Sequence, residues 1–555
     1  TLADLIAAEH YGTIANIAHA AGLTLYGEAL EDKRPSLGDD MAMRSHADVP
    51  MAAMWSFPRD GAPNPSYLAD IKGAASVAHI YGQNLVAAES MTSALNYWSD
   101  SPQTLKPVID LEFVTGVNRP VVHTSVHQPE DTRLPGLSLM IFGQYFNRHE
   151  SWAELARPWV DYIARNAFML QQGRNVADVA YFYGEEAPLT GLYGVKPVAD
   201  APKANAYDFA NFDALSTMLR NDGNALVTPG GARFKALYLG GSSSRMTLAA
   251  LRRIAALAEG GATIVGTKPV GTPSLSGDAA EYAALVARLW PGQPVSRVGK
   301  GQVIASSNID AALAQIGVAP DFRFTGGDEG AQIPFVHRAL ADGDSWFLVN
   351  RQDRAETIEA HFRVSGKVPE LWHAETGTSE PVSYRIAGGE TIVPLSLGAE
   401  QSLHVVFRKP ATAVEATVAT PVLAEWARLD DGWAVAFQPG RGAPASATLA
   451  KLAPLDTNAD PAIRYFSGIA TYSRDFAAPK GWKPGQKLVL DLGEAKEIAE
   501  VAINGKPAGS VWHTPYTLDV GALVKPGRNQ VEVRVAKLMP TTIRKGIRKK
   551  ISSQT

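Results

Sequence analysis

The sequence predicts a multidomain protein in which an α/β region is followed by an all-β region. Over about residues 1–310, helical patterns alternate with short apolar runs, as in parallel sheets flanked by helices. From about residue 320, strands of alternating polarity are separated by Gly- and Asp-rich turns, as in β-sandwiches. A Pro-, Thr- and Ala-rich linker at about 409–421 divides the second region. We expect domains at 1–174, 175–315, 316–412 and 413–555.

Composition excludes several classes of function. The 555-residue chain has a formal net charge of −4 and no cysteine. The near balance of charge argues against a nucleic-acid partner, and the lack of cysteine excludes disulfides and thiolate metal sites. No apolar run reaches the ~18 residues of a membrane-spanning helix, so we expect no membrane segment. The chain begins Thr-Leu-Ala-Asp, without Met or a signal peptide, which suggests a fragment or processed product.

Residues 1–150 alternate helices with four apolar strands, predicted at 23–28, 49–55, 83–90 and 120–127. At the same end of these strands lie functional-looking side chains: Glu28, Trp55, Glu89, and His123 with His127. In a (β/α) barrel, the carboxyl ends of the strands form the catalytic face. Four strands do not close an eight-stranded barrel, so either the sheet is open or the missing strands precede Thr1.

Glu89 is the first candidate for a catalytic residue. A helix predicted at 66–82, with Ser66 as its N-cap and Gly82 as its stop, leads into the apolar run that Glu89 ends. Glu28 and Glu89 end two strands of one sheet, and two carboxylates facing a cleft are what glycoside hydrolysis requires. The alternative is that Glu89 caps the next turn or pairs with a basic residue.

The loop at 31–48 indicates a hard cation. It carries several carboxylates, including Asp39 and Asp40, and it follows Glu28. Ca²⁺ takes 6–8 oxygen ligands of this kind, so Glu28, Asp39 and Asp40 are candidate ligands. The spacing does not match an EF-hand, and surface carboxylates explain the pattern equally well.

Polar residues after the last strand of the first region are candidate sugar contacts. His123 and His127 lack the neighbouring Glu of a zincin motif, so we interpret them as hydrogen-bonding groups for sugar hydroxyls. The polar and aromatic loop 142–150, with Tyr145, Asn147 and Arg148, is suited to line a sugar site. A long helix is predicted at 151–173, with a capping box at Ser151 and a kink at Pro158.

The order of several motifs resembles the α-L-rhamnosidases of glycoside hydrolase family 106. The resemblance is strong over about residues 1–190 and looser beyond. It is carried by residues 25–29 (LYGEA), 35–40 (PSLGDD), 78–82 (AHIYG), 87–90 (AAES), 118–124 (NRPVVHT), 142–148 (FGQYFNR), 170–174 (LQQGR) and 181–185 (YFYGE).

This resemblance implies the C-terminal half of a (β/α)8-type barrel, a flavodoxin-like α/β subdomain, and β-sandwiches that include a galactose-binding-like one. It implies an inverting hydrolase of a rhamnose-containing glycoside or polysaccharide, with Ca²⁺ touching the sugar. Glu89 matches the general base and Glu28 a carboxylate near the metal. The general acid of the family lies on an earlier strand that this chain lacks, so we expect the N-terminal half of the same enzyme as a partner. A periplasmic or secreted bacterial location follows from the same resemblance.

Two alternatives remain at this stage. The chain could be a non-catalytic carbohydrate-binding protein, or a glycosidase of another sugar class, such as a β-galactosidase.

Overall fold

The computed structural model describes residues 2–30, 37–58, 61–94, 98–143, 146–419, 423–484 and 486–538. The chain forms two compact units, each built from several stretches. The first unit comprises 1–90, 110–121 and 165–418, and the second comprises 91–109, 122–164 and 419–555. The protein is multidomain and mixed α/β with many sheets, as predicted. The four domain boundaries stay a prediction.

The first region contains a 4-stranded sheet whose strand order, β1-β2-β3-β4, is the order in the chain. β1 and β2 are parallel, with Tyr26 opposite Val49. A π-helical stretch, Ile6–Gly12, lies between α1 and α2, and a 3-10 turn, Ala153–Leu155, precedes α6. The elements are α1 (Leu2–Leu5), α2 (Thr13–Ala20), β1 (Tyr26–Gly27), α3 (Asp40–Ser45), β2 (Val49–Trp55), α4 (Pro65–Tyr81), β3 (Ala87–Thr92), α5 (Pro102–Thr115), β4 (Arg119–Val122) and α6 (Arg157–Leu170).

Several predicted boundaries differ from the structure. Helix α3 lies inside the stretch predicted as a loop at 31–48. The N-cap of α4 is Asn64 rather than Ser66, because Pro65 occupies the first helical position and the Asn64 side chain accepts from the Ser66 N–H. The helix predicted from 151 begins at Arg157, so Pro158 lies in its first turn and kinks nothing.

The second region contains a 6-stranded sheet with the order β13-β14-β12-β11-β6-β7. All its pairs are parallel except the edge pair β13–β14. A 3-stranded sheet, β10-β9-β8, and a π-helical stretch, Ala214–Met218, lie beside it. The elements are β5 (Arg174–Asn175), β6 (Val179–Phe182), α7 (Leu189–Leu192), β7 (Tyr207–Ala210), β8 (Arg220–Asp222), β9 (Ala225–Val227), β10 (Arg233–Phe234), β11 (Ala236–Leu239), α8 (Leu248–Gly260), β12 (Thr263–Gly266), α9 (Ala279–Leu289), β13 (Val295–Val298), β14 (Gly301–Ile304) and α10 (Ile309–Gln315).

Helix α4 joins the first two regions. The His79 ring nitrogen Nδ1 lies 2.8 Å from Asp208 Oδ1 at edge strand β7, and Tyr81 donates to Asp213. Gly82 ends the helix at φ +93°, and a Cβ there would lie 2.9 Å from Gly230 Cα, so the position requires glycine. The 78–82 motif therefore has a packing role.

The third region is a sandwich of two sheets with the orders β15-β18-β22-β21-β24 and β20-β19-β23-β17-β16-β5. Buried residues of both sheets, such as Trp346 and Phe362, form one core. The strands are β15 (Phe322–Gly326), β16 (Phe335–Ala339), β17 (Asp344–Val349), β18 (Glu356–Phe362), β19 (Lys367–His373), β20 (Thr378–Pro381), β21 (Tyr384–Ala387), β22 (Glu390–Leu397), β23 (Ser402–Pro410) and β24 (Glu415–Ala416).

The fourth region has a 6-stranded sheet, β26-β25-β27-β32-β29-β30, and a 2-stranded sheet, β28-β31. Asn504 and Gly505 both have positive φ in the β29–β30 turn, as the Asn-Gly hairpin signal predicts. A 3-10 turn, Leu455–Thr457, precedes α11. The elements are β25 (Asp431–Phe437), β26 (Ser446–Lys451), α11 (Pro461–Arg464), β27 (Gly468–Ala477), β28 (Val489–Asp491), β29 (Ile498–Ile503), β30 (Lys506–Val511), β31 (Thr517–Asp519) and β32 (Arg528–Lys537).

Within the described stretches of chain, no helix has both the length and the apolar character needed to cross a membrane.

Candidate functional site

Glu89 is half-buried on β3, on the face of the strand that points away from α5. Its neighbour Ser90 is buried and donates its hydroxyl to Glu112 Oε2 of α5 at 2.5 Å. Because successive side chains of a strand point to opposite faces, Glu89 lies on the other face of the sheet. The carboxylate of Glu89 is therefore not part of the packing between the strand and its helix.

The strand that carries Glu89 begins later than predicted, so Glu89 is its third residue rather than its end. The amide of Gln83 donates to the Ala47 carbonyl at 3.1 Å, and that of Asn84 donates to the Gln171 carbonyl at 2.7 Å. These polar side chains hold the segment as a loop, and strand pairing starts only at Ala87.

Glu28, just after β1, and Trp55, at the end of the adjacent strand β2, do not lie at the same level. Glu28 is half-buried and directly follows β1, and the β1–β2 register places the next position opposite Met51. Trp55 is four residues further along β2, which corresponds to about 13 Å along a strand. Its ring stacks on Tyr67, with ring centroids 6.2 Å apart.

Asp39 and Asp40, predicted as metal ligands, are engaged as structural acceptors. Asp39 is the N-cap of α3: Oδ1 accepts from the Ala42 N–H at 2.8 Å and from Asn211 at 3.0 Å. Burial raises the pKa of Asp39 to about 6, with Asp40 as a further cause.

Asp40 is completely buried. Its carboxylate accepts from its neighbour's N–H, from the Leu189 and Thr190 N–H groups at 3.1 and 3.0 Å, and from the Thr190 hydroxyl. Asp40 therefore connects α3 to α7 through hydrogen bonds.

The described residues do not form the predicted cluster of metal ligands. Across the described ranges, no three His, Asp or Glu side chains are grouped so that they could hold a metal ion. The structure therefore does not bring Glu28, Asp39 and Asp40 together as a ligand cluster.

The remaining predicted sugar contacts belong to the second compact unit. His123 directly follows β4 and is half-buried, and His127 is exposed. Tyr145 lies outside the described residues. Asn147 Oδ1 accepts from the His149 N–H at 2.8 Å. Arg148 is exposed and donates to Asp131 at 2.5 Å and to the Gln128 carbonyl at 2.6 Å.

Sequence reasoning missed the next residues of the same loop, His149 and Glu150. Each side chain is only 6% exposed, and both line a cavity of about 290 Å³ within the second unit. Burial, with smaller contributions from Asp100 and Glu497, raises the pKa of Glu150 to about 7. The available signal was a His-Glu pair at the end of a polar loop, just before a helical pattern.

Comparisons with known proteins agree with the sequence motifs. The model of glycoside hydrolase family 106, described as alpha-L-rhamnosidase, matches residues 1–386. A solved rhamnosidase from Novosphingobium sp. PP1Y is 62% identical with a TM-score of 0.94, over 97% of this chain and 51% of that chain. A putative beta-glucuronidase from Formosa agariphila is 35% identical over 74% of this chain and 33% of its own length. The chain thus spans about half and a third of these two relatives.

Proposed function

The chain belongs to glycoside hydrolase family 106, and from that premise we propose that it is the part of a glycoside hydrolase that releases terminal α-L-rhamnose from glycosides or polysaccharides. The observation that carries the proposal is the 62% identity to a rhamnosidase over 97% of the chain. A periplasmic or secreted location is part of the same proposal and rests on family resemblance.

Glu89 is the proposed general base of an inverting mechanism. Its carboxylate would take a proton from a water that attacks the sugar on the face opposite the leaving group. The placement of Glu89 on the sheet face away from α5 supports this role, since its carboxylate is not used in packing the strand on that helix and lies on a strand of the proposed barrel.

The general acid is proposed to lie outside these 555 residues, on an N-terminal half of the same enzyme. The chain spans 51% of the solved rhamnosidase, which supports this view. The purified 555 residues should not hydrolyse an aryl α-L-rhamnoside, and addition of the upstream half should restore turnover. Full activity of the 555 residues alone would refute this division of the acid and base.

The base assignment is tested by Glu89→Gln in the complete enzyme. We expect kcat to fall by about 10³-fold or more with binding of the sugar retained, because the amide cannot accept the proton. The matched control is Glu281→Gln, which replaces a half-buried carboxylate of α9 that is paired with Arg252 of α8. Proton NMR of the first product reports the anomer: an inverting enzyme releases β-L-rhamnose, and α-L-rhamnose would contradict the mechanism.

The domain folds are a further part of the proposal. We assign the 4-stranded sheet to the C-terminal half of a (β/α)8-type barrel. The parallel strands of the second sheet follow the order 2-1-3-4-5 when numbered along the chain, which supports a flavodoxin-like subdomain. We assign the last sandwich to the galactose-binding-like type. A structure of the two halves together, with eight barrel strands, is the test.

We propose a calcium site that keeps fewer ligands from this chain than the sequence suggests. Asp40 does not fit a calcium site, because both of its oxygens already accept hydrogen bonds from N–H and hydroxyl donors, and Asp39 Oδ1 already accepts two. Of the three predicted ligands we retain Glu28, and further oxygen ligands would come from other parts of the enzyme. Terbium luminescence on the complete enzyme should weaken in Glu28→Gln and be unaffected in Glu281→Gln. Equal titrations for both variants would remove Glu28 from the site.

Hydrolysis of a β-glucuronide is the second candidate function. It is favoured by the relative from Formosa agariphila, which is named a putative beta-glucuronidase. A panel of aryl α-L-rhamnoside, β-D-glucuronide and β-D-galactoside separates the candidates by kcat/KM. A complete enzyme that turns over none of the three but binds sugar would support a carbohydrate-binding protein instead.

A further inference from the structure

A cavity inside the second compact unit has the features of a sugar-binding pocket. Its volume is about 290 Å³, close to the lower bound of ~300 Å³ for small-ligand sites. None of the residues predicted as catalytic lines it. The lining residues are Trp98, Leu134, Pro135, His149, Glu150, Ser151, Gly440, Arg441, Tyr465 and Ser467.

His149 is the strongest sign that the cavity receives a ligand. The side chain is 94% buried, being 6% exposed, and neither ring nitrogen has a hydrogen-bond partner among the described residues. Asp131 Oδ1 lies 3.7 Å from Nε2 and is taken by Arg148 Nε at 2.5 Å. A neutral imidazole has one donor and one acceptor nitrogen, which need separate partners, and two hydroxyls of a sugar can supply them.

Glu150 adds a second polar group, and only part of its hydrogen-bonding capacity is used by the described residues. Its Oε1 accepts from the Ser151 N–H at 2.9 Å and lies 3.4 Å from the Ser151 hydroxyl. The hydrogen bonds of this carboxyl to the described residues all involve Oε1, so Oε2 is left for a ligand. Two polar side chains that converge on one cavity fix the orientation of a small ligand.

The opposite wall contributes a cation and an aromatic ring. Arg441 follows β25, and Tyr465, which is 44% exposed, follows α11. Aromatic faces stack against the apolar faces of pyranose rings, and guanidinium N–H groups donate to ring hydroxyls. Arg441 and Glu150 place one basic and one acidic side chain on the cavity, and together they offer donors and acceptors to the hydroxyls of a neutral sugar.

Both walls are held in place before any ligand binds. The buried Gln128 side chain exchanges hydrogen bonds with Leu137, at 2.7 and 2.8 Å, behind the Leu134–Pro135 wall. On the other wall, Gln438 exchanges hydrogen bonds with the Ile469 backbone at 3.0 Å. A pocket with fixed walls loses less conformational entropy on binding.

We infer that this cavity binds one neutral pyranose residue of a glycan, through His149, Glu150, Arg441 and the ring of Tyr465. The loop 142–150 thereby takes part in sugar recognition with its last two residues. Binding at this cavity does not depend on hydrolysis.

The test is saturation-transfer NMR and calorimetry on the 555-residue chain in its Glu89→Gln form. The probes are methyl α-L-rhamnoside, methyl α-D-galactoside and methyl β-D-glucoside, with D-galacturonate as the anionic comparison. We expect at least one neutral glycoside to bind, and Tyr465→Ala and Arg441→Ala each to weaken that binding about tenfold or more. Arg428→Ala is the matched control, because Arg428 is an exposed arginine of the same unit paired with Glu425.

The inference is overturned if no neutral glycoside binds, if only galacturonate binds, or if both pocket variants retain wild-type affinity while circular dichroism shows them folded. Its failure is distinguishable from that of the proposed function, since turnover is measured separately on the complete enzyme. An enzyme that hydrolyses aryl rhamnoside without binding sugar at this cavity refutes only the inference.

Discussion

Two regions of this protein carry acidic side chains removed from solvent, and they differ in how far the protein satisfies the hydrogen bonds of the polar groups there. At the start of α3, Asp39 and Asp40 accept hydrogen bonds from Ala42, Asn211, Leu189 and Thr190. In the 142–150 loop, His149 and Glu150 are buried and line a cavity, and neither ring nitrogen of His149 has a hydrogen-bond partner among the described residues. Burial of an acidic group therefore does not indicate function. The informative quantity is how much of its hydrogen-bonding capacity the protein already uses.

The largest expected effect is on stability, at Asp40 in the first turn of α3. Asp40→Ala removes the acceptor of two buried backbone N–H groups, at Leu189 and Thr190. We expect the free energy of unfolding to fall by about 3–5 kcal/mol, because these donors are left unsatisfied and the buried Arg44 loses a nearby carboxylate. Urea denaturation measures it, with Asp342→Ala, an exposed partner of Arg408, as control. A loss equal to that of the control would mean that Asp40 is not a structural acceptor.

Glu150→Gln tests the cavity region of this comparison, through the pH dependence of the free energy of unfolding. The folded pKa of Glu150 is about 7 against 4.5 for the free side chain. As pH rises through this window the unfolded chain loses the proton first, so ionisation disfavours the folded state increasingly up to about pH 7.

The amide keeps the hydrogen bond from Ser151 and removes the ionisation. Relative to wild type, the stability of Glu150→Gln should therefore rise by up to about 3 kcal/mol between pH 4.5 and 8. Denaturation at both pH values checks this, with the exposed Glu532→Gln as control. A stability difference that does not change with pH would contradict a desolvated Glu150.

The smallest effect is expected at Asp39. Asp39→Ala removes the N-cap of α3 and should cost about 1–2 kcal/mol, whereas Asp39→Asn should be close to neutral because asparagine is an equally good N-cap. If Asp39 is structural, the asparagine variant of the complete enzyme should bind terbium as wild type does. A lost terbium signal in Asp39→Asn would restore Asp39 as a metal ligand.

Sequence patterns among neighbouring residues predicted much of the fold. The strand at Val49–Trp55 has its predicted bounds, since an apolar run between turns needs no distant partner to be recognised. Helix α6 lies within the helix predicted at 151–173, and its Trp159 is buried. The strand of Glu89 was predicted four residues too early, because the partners that hold Gln83 and Asn84 in a loop lie 36 and 87 residues away.

The same distinction applies to the candidate site. Periodicity, turn residues and motif order were enough to establish the α/β-then-β architecture and the family, because these are properties of neighbouring residues. Whether a carboxylate is structural or available for chemistry was settled by folding, since the donors that bind Asp40 are 149 and 150 residues away in the chain. At Asp40, hydrogen-bond satisfaction depends on residues distant in the chain, and the local sequence does not reveal them.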